Sequence, residues 1–236
     1  MMKRLLVSFS GLCLAVALFA APASTSNEFL NSSAFDWRAC VSPPPAEDSL
    51  AGQADHEIVR ELDAHRTSDQ TVLAKHYEKF SPFVIAADVL GDWCTADNLP
   101  RTKAFFSEAW LECKPVISDS KAAWNRKRPY SFDPDLHPVV ERPNDASYPS
   151  GHAFSASYVA ALLTAILPDH AADWEKEAQL IRWSRLVGGA HYPTDVVAGK
   201  ILGEAVAKEM LKSPNMQKAI EEVRAELKPH LIKKGA

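Results

Sequence analysis

Between about Asp55 and Leu227 the apolar residues of this chain recur at helical spacing and almost nowhere alternate. Stripes of that period bury themselves as helices packed on helices. Prolines sharpen the boundaries, because a first helical turn tolerates proline and a helix interior does not. Pro100 predicts a helix beginning near Asn98 and turning Ala104, Phe105, Ala109, Trp110 and Leu111 toward a core. Pro193 starts another that runs to about Leu211. Ser213-Pro214 caps the last helix, with Ile220, Val223 and Leu227 as its buried stripe and Pro229 as its end. Earlier stripes carry Ile58, Leu62, Val72 and His76. Residues 150–167 read as a buried helix and 172–186 as a further one, whereas 130–148, rich in Pro, Asn and Asp, read as a loop. No repeat of solenoid length is evident. The expectation is all-α, a single compact helical domain.

The N-terminus stands apart. Met1-Met2-Lys3-Arg4 is basic, residues 5–20 are mostly apolar, and Ala21-Pro22-Ala23 fits small-x-small cleavage. Residues 1–23 are therefore expected to be a signal peptide. An uncleaved anchor is the other reading, disfavoured by a short apolar stretch interrupted by Ser and Gly. Residues 24–52, with Pro43-Pro44-Pro45, are expected to form an extended, unpacked lead-in, and 53–236 the helical domain. The longest later apolar run, 158–167, is too short to cross a bilayer, so the processed protein is expected to be soluble and periplasmic or secreted.

Composition narrows the partners. The chain has 236 residues, 47% hydrophobic and 24% charged, enough for one sizeable core. Its 30 acidic residues outnumber 26 basic ones, and loss of Lys3 and Arg4 widens the gap. A mildly acidic protein is a poor non-specific nucleic-acid binder, so any anion site must be a local basic pocket. Cys40, Cys94 and Cys113 follow the leader. They form no CxxC or zinc pattern, and free thiols and one disulfide remain equally open.

Three segments carry chemistry: Lys121…Arg128-Pro129, then Pro149-Ser150-Gly151-His152, then Ser184-Arg185…His191…Asp195. No acidic metal cluster and no glycine-rich nucleotide loop accompanies them, so no metal or cofactor is expected. Arg128 and Arg185 offer planar forks suited to phosphate oxygens, and Lys121 adds a point charge. A spacing of seven would let Lys121 and Arg128 share one helix face. Ser150 and Gly151 begin a predicted helix, whose amides and dipole favour an anion, with His152 in its first turn. Asp195 follows His191 at a spacing that lets its carboxylate take one imidazole nitrogen and leave the other free to attack. Each fragment alone is weak, and their conjunction is specific.

The combined pattern, Lys-x6-Arg-Pro, Pro-Ser-Gly-His and Ser-Arg-x5-His-x3-Asp, resembles the type 2 phosphatidic acid phosphatase (PAP2) superfamily. The stretches Asp145-Ala146-Ser147-Tyr148-Pro149-Ser150-Gly151-His152 and Gly189-Ala190-His191-Tyr192 are most similar to the bacterial class A non-specific acid phosphatases within it. The resemblance implies a haloperoxidase-like helical bundle and a metal-independent acid phosphatase of broad specificity for small phosphate monoesters. Phosphotransfer to alcohols is implied as a side activity. His191 would be the nucleophile, Asp195 its orienting carboxylate, and His152 the acid and later the base. Lys121, Arg128, Ser150, Gly151 and Arg185 would bind the phosphoryl oxygens. The loop 131–147 would line the substrate entrance, and Trp124 and Tyr130 bear on substrate preference. A soluble lipid phosphate phosphatase, a vanadate-dependent haloperoxidase and a non-catalytic phosphate binder are the alternatives. The amphipathic C-terminal helix is expected to pack on its own domain, with a homodimer contact as the second reading.

Overall fold

In a computed structural model, residues 28–232 are described; the expected signal peptide lies outside them. The helices are α1 (Leu50–Ala64), α2 (Ser68–His76), α3 (Pro82–Leu90), α4 (Pro100–Trp124), α5 (Pro129–Phe132), α6 (Gly151–Ile166), α7 (Ala171–Val187), α8 (Pro193–Met210) and α9 (Pro214–Ile232). Among the described residues there is no strand, and no helix is long and apolar enough to cross a membrane. The all-α expectation holds; α6, α7 and α8 begin and end within about two residues of the positions read from the sequence, and α4 and α9 begin there.

Helix α6 is the centre of the bundle. Its small apolar residues bury nearly every face, and it packs along α7 and α8, while α1, α2 and α3 lean on α7 and α9 closes against α4 and α6. Gly199 and Gly203, one turn apart on α8, permit the closest of these contacts. A Cβ on Gly199 would lie 2.5 Å from the Ser150 carbonyl oxygen, and one on Gly203 would lie 2.4 Å from that of Phe154. Gly199→Ala is therefore expected to force α6 and α8 apart, costing about 1–3 kcal/mol in an unfolding titration. Activity should fall as well, because Ser150 begins the helix that carries the candidate site.

Several expectations need correction. Of the expected lead-in, residues 50–52 already belong to α1, and the described residues before them hold a 3-10 turn at Trp37–Ala39; Phe29, Leu30, Trp37 and Val41 are buried in the main core. Backbone amides of Phe29 and Leu30 donate to the buried Glu112 carboxylate on α4 (2.8 and 2.7 Å), and Trp37 packs edge-on against Trp124. The segment is packed because its rings reach Phe105 and Trp124 on α4 while Glu112 takes its backbone amides.

Ile58, Val72, Ala104 and Leu111 are exposed rather than buried; Val59, Ala74, Phe106 and the paired Glu112 take the inward positions. Pro229 does not end α9, which continues to Ile232. A proline removes one donor near a helix end where little ladder remains to lose. Cys40, Cys94 and Cys113 are all free thiols, and burial pushes the Cys94 thiol up to about 11.

Candidate active site

Four local structures converge on one pocket. Helix α4 ends at Asn125, whose left-handed φ of 43° turns the chain out of the helix. Lys121 therefore stands in the last turn of α4 while Arg128 lies beyond it, as the residue that caps α5. The two cations meet without sharing a helix face, contrary to the sequence reading. Gly188 and Gly189 break α7 from α8; Gly189 has φ 74°, and the Ala190 amide returns to the Arg185 carbonyl (3.1 Å). That turn places His191 just before α8 and Asp195 in its first turn. The Ser150 amide donates to the Asp195 carbonyl at 2.9 Å, which ties the start of α6 to the start of α8.

His191 and Asp195 form the buried centre. The His191 Nδ1 lies 3.3 Å from Asp195 Oδ2, and Arg128 Nη1 lies 2.8 Å from His191 Nε2. An arginine can only donate, so Nε2 holds the lone pair and Nδ1 carries the proton toward the carboxylate. Asp195 Oδ2 also accepts from the Ser147 hydroxyl (2.5 Å) and the Tyr192 amide (2.9 Å), and Oδ1 accepts from Arg126 Nη1 (2.8 Å). Burial pushes the Asp195 carboxyl up, and Arg126, Ser147 and the Tyr192 amide act against that. Burial, then Arg128, Lys121 and Arg185, hold the His191 imidazole well below its ordinary range, so it is neutral in the unliganded site.

Sequence reasoning missed the support beneath this pair. Arg126 is buried between two carboxylates, with Nη2 2.9 Å from Asp55 on α1 and Nη1 on Asp195, and its guanidinium covers the Tyr192 ring at 4.1 Å. Asp55 in turn accepts from the Thr194 amide (3.1 Å) and the Thr194 hydroxyl. Asp55 carried no signal, since it sits 71 residues from Arg126 in an ordinary polar stretch. Ser147, beside Tyr148-Pro149-Ser150, was within the quoted motif but assigned no role.

The cations surround the space above His191. Lys121 Nζ lies 3.0 Å and Arg128 Nη2 2.6 Å from the half-exposed Asp145 carboxylate, and Lys121 also donates to the Ala146 carbonyl. Burial alone would raise Asp145; Lys121 and Arg128 outweigh it and hold its carboxyl below the usual carboxylate range. Arg185, on the last turn of α7, is buried, and its Nε and Nη1 have no acceptor among the described residues. Leaving a buried guanidinium donor unmet is costly, so these two N–H groups are free to donate to an anion. Burial, then repulsion from Arg128, pull the Arg185 guanidinium down to about 10.

The start of α6 completes the pocket. Ser150 caps the helix through its Ala153 amide contact (3.4 Å), and a Cβ built on Gly151 would lie 3.8 Å from Lys121 Cε. The first amides of α6 thus open beside the cations. His152 Nε2 lies 3.1 Å from the Glu78 carbonyl; the carbonyl accepts, so Nε2 carries a proton and Nδ1 is the nitrogen left over. Burial, then Arg185, with further repulsion from Arg128 and Lys121, lower His152 to about 4.

All eight residues named from the sequence therefore lie in this region, and no group of three metal-ligating side chains occurs among the described residues. Of the loop 131–147, Asp145 and Ser147 reach the site. Asp145 stands half-exposed over Lys121 and Arg128 and Ser147 is buried against Asp195, while a further cavity beside His152 is lined by residues of the 78–83 segment, α4 and α6. Trp124 packs on Trp37 and Tyr148, and the Tyr130 hydroxyl donates to the Pro143 carbonyl, so both brace the loop.

Comparison with known proteins gives the same picture. A family model described as the PAP2 superfamily matches residues 105–219. An acid phosphatase of Zymomonas mobilis is 35% identical over 199 residues, covering 79% of this chain and 74% of that protein. A non-specific acid phosphatase of Salmonella typhi is 27% identical over 249 residues, covering 96% of this chain and 93% of that one. A bacterial vanadium-dependent iodoperoxidase shares the fold, with a TM-score of 0.54 at 19% identity over 72% of this chain and 51% of its own. Motif, architecture and the extent of the Zymomonas match agree, and this chain belongs to the PAP2 superfamily.

Proposed function

We propose that this protein is an acid phosphatase that hydrolyses phosphate monoesters without a metal, through a phosphohistidine on His191. The observation that carries this reading is the buried pair of Arg185 N–H groups that find no acceptor among the described residues, set among Lys121, Arg128 and the start of α6. In the first step Nε2 of His191 attacks phosphorus and the bond to the alcohol oxygen breaks. His152 gives its Nδ1 proton to that oxygen. Arg128 moves from Nε2 to a phosphoryl oxygen as the N–P bond forms, and Asp195 holds the cationic imidazole. In the second step neutral His152 takes a proton from water, whose oxygen attacks phosphorus, and the N–P bond breaks to release phosphate. Lys121, Arg128 and Arg185 match the charge that spreads over the equatorial oxygens, the largest expected contribution to rate.

An alcohol in place of water in the second step gives phosphotransfer. The basic, apolar and small-residue succession at 1–23 supports export to the periplasm or medium.

The pH profile follows from the histidines. Catalysis needs His191 neutral and His152 protonated at the moment of attack. The low His152 value places the optimum on the acid side and makes kcat/KM fall on the alkaline limb. Arg185→Gln removes the largest of the charges that lower His152, which favours its protonated form. The alkaline limb of kcat/KM in that variant is expected to move to higher pH even as KM rises; an unmoved limb would show that another group sets it.

The reading as a whole is tested by hydrolysis of p-nitrophenyl phosphate by the purified protein in EDTA. Turnover that persists in EDTA and is inhibited by vanadate is expected. Loss of turnover in EDTA, restored by a divalent cation, would overturn the metal-free mechanism.

A further inference from the structure

A cavity of about 600 Å³ opens beside His152 and lies apart from the cations. Five aromatic rings wall it: Phe80, Phe83, Phe106, Trp110 and Tyr158. They come from the segment before α3, from α3 itself, from α4 and from α6. Phe106 and Tyr158 are buried, whereas Phe80, Phe83 and Trp110 are only half-covered, so the chain itself leaves this apolar surface open. Its size is that of a small-molecule site. Besides His152, its charged lining consists of Glu78 and the exposed Lys103.

The position of the cavity says what would occupy it. A general acid must stand within hydrogen-bond reach of the oxygen it protonates. With the phosphoryl group held by Lys121, Arg128 and Arg185, the leaving oxygen lies at His152. Whatever is bonded to that oxygen must extend away from His152. Gly151 and His152 border the cavity, and Gly151 faces Lys121 on its other side, so phosphate pocket and cavity meet at these two residues.

Resting on the phosphatase reading, we infer that this cavity is the subsite for the alcohol of the substrate and that it selects phosphate monoesters of apolar, ring-bearing alcohols over hydroxyl-rich ones. Aromatic walls reward a flat apolar group through area and ring packing. A polyol placed there loses water contacts on most of its surface and meets Ser81, Ser107 and Ser155 only between the rings. The subsite ranks substrates within a broad range, since nothing in it closes on one shape.

Benzyl phosphate and glycerol 1-phosphate test this, because both release a primary alkoxide and differ in the group that enters the cavity. The wild-type protein is expected to favour benzyl phosphate in kcat/KM by about tenfold or more. Trp110→Ala and Phe83→Ser, both at half-covered positions, are expected to erase most of that preference while kcat/KM for glycerol 1-phosphate stays within about twofold, which also reports an intact fold. As a check that needs no variant, kcat/KM of the wild-type protein should rise along the ethyl, butyl and hexyl phosphate series. Equal kcat/KM for benzyl and glycerol phosphates, or equal losses on both substrates in both variants with no rise along the series, would overturn the subsite. No turnover of any of these esters would instead overturn the phosphatase reading on which it rests.

Discussion

Replacing His191 by alanine is expected to lower kcat by about 10³- to 10⁶-fold, the range seen when a nucleophile that works as part of a unit is removed. The loss falls on chemistry, since the three cations and the start of α6 remain to bind phosphate. Isothermal titration with inorganic phosphate should therefore show affinity within a few-fold of wild type. The fold should survive, because Asp195 keeps Arg126, the Ser147 hydroxyl and the Tyr192 amide as partners.

Stability adds an independent signature. The His191 imidazole is held below 6.5 in the folded protein, so below that pH the unfolded chain binds the extra proton. Wild-type stability from this group is complete above pH 6.5 and declines as the pH falls below it. The alanine variant lacks that component, and its stability should fall less steeply from pH 6.5 to 5. Turnover within tenfold of wild type would remove His191 from the nucleophile's role.

The second large effect is structural. Arg126→Met is expected to destabilise the protein by about 3–5 kcal/mol at pH 7, because it leaves Asp55 and Asp195 as uncompensated buried carboxylates. The Asp195 carboxyl, already raised by burial, loses the cation that acts against that rise and would lie further above its unfolded value. Such a group favours the folded state at low pH and loses that contribution as the pH rises through the folded value. The deficit in a urea titration should thus be largest at neutral pH and shrink toward pH 4. Arg126→Lys should recover only part of the loss, since one ammonium cannot bridge two carboxylates as a guanidinium fork does. A deficit below about 1 kcal/mol at every pH would mean that solvent reaches these carboxylates after all.

How far the sequence reveals this molecule depends on how local each determinant is. Helix starts were legible because proline at the first position of α4, α8 and α9 acts through its own ring and missing donor. The buried character of α6 was legible because its residues are apolar all round. Which face of α1 and α2 points inward was not, since Ile58 yields on α1 to a face carrying Asp55, His56 and Val59, and Val72 yields on α2 to Ala74.

The candidate site divides in the same way. Residues that meet a phosphate need particular chemistry in a particular order, so Lys121, Arg128, His152, Arg185, His191 and Asp195 could be named together. The side chains that hold them in place need only reach one another in space. Arg126 and Asp55 come from different helical neighbourhoods, and their pairing exists only once α1 crosses the start of α8. The shared helix face proposed for Lys121 and Arg128 failed for a local reason, the left-handed turn at Asn125, a conformation asparagine tolerates better than most residues.

The central claim is that a phosphoryl group resides on His191 during turnover. The direct test is a rapid-quench reaction of His152→Ala with ³²P-labelled p-nitrophenyl phosphate, followed by mapping of the label under alkaline conditions. The nitrophenolate leaves without an acid, whereas the second step lacks its base, so the intermediate should accumulate. Close to one label per protein on His191, absent when His191 is alanine, is the expected result. Continued turnover with no label on the protein at any time, or label on another residue, would contradict the account.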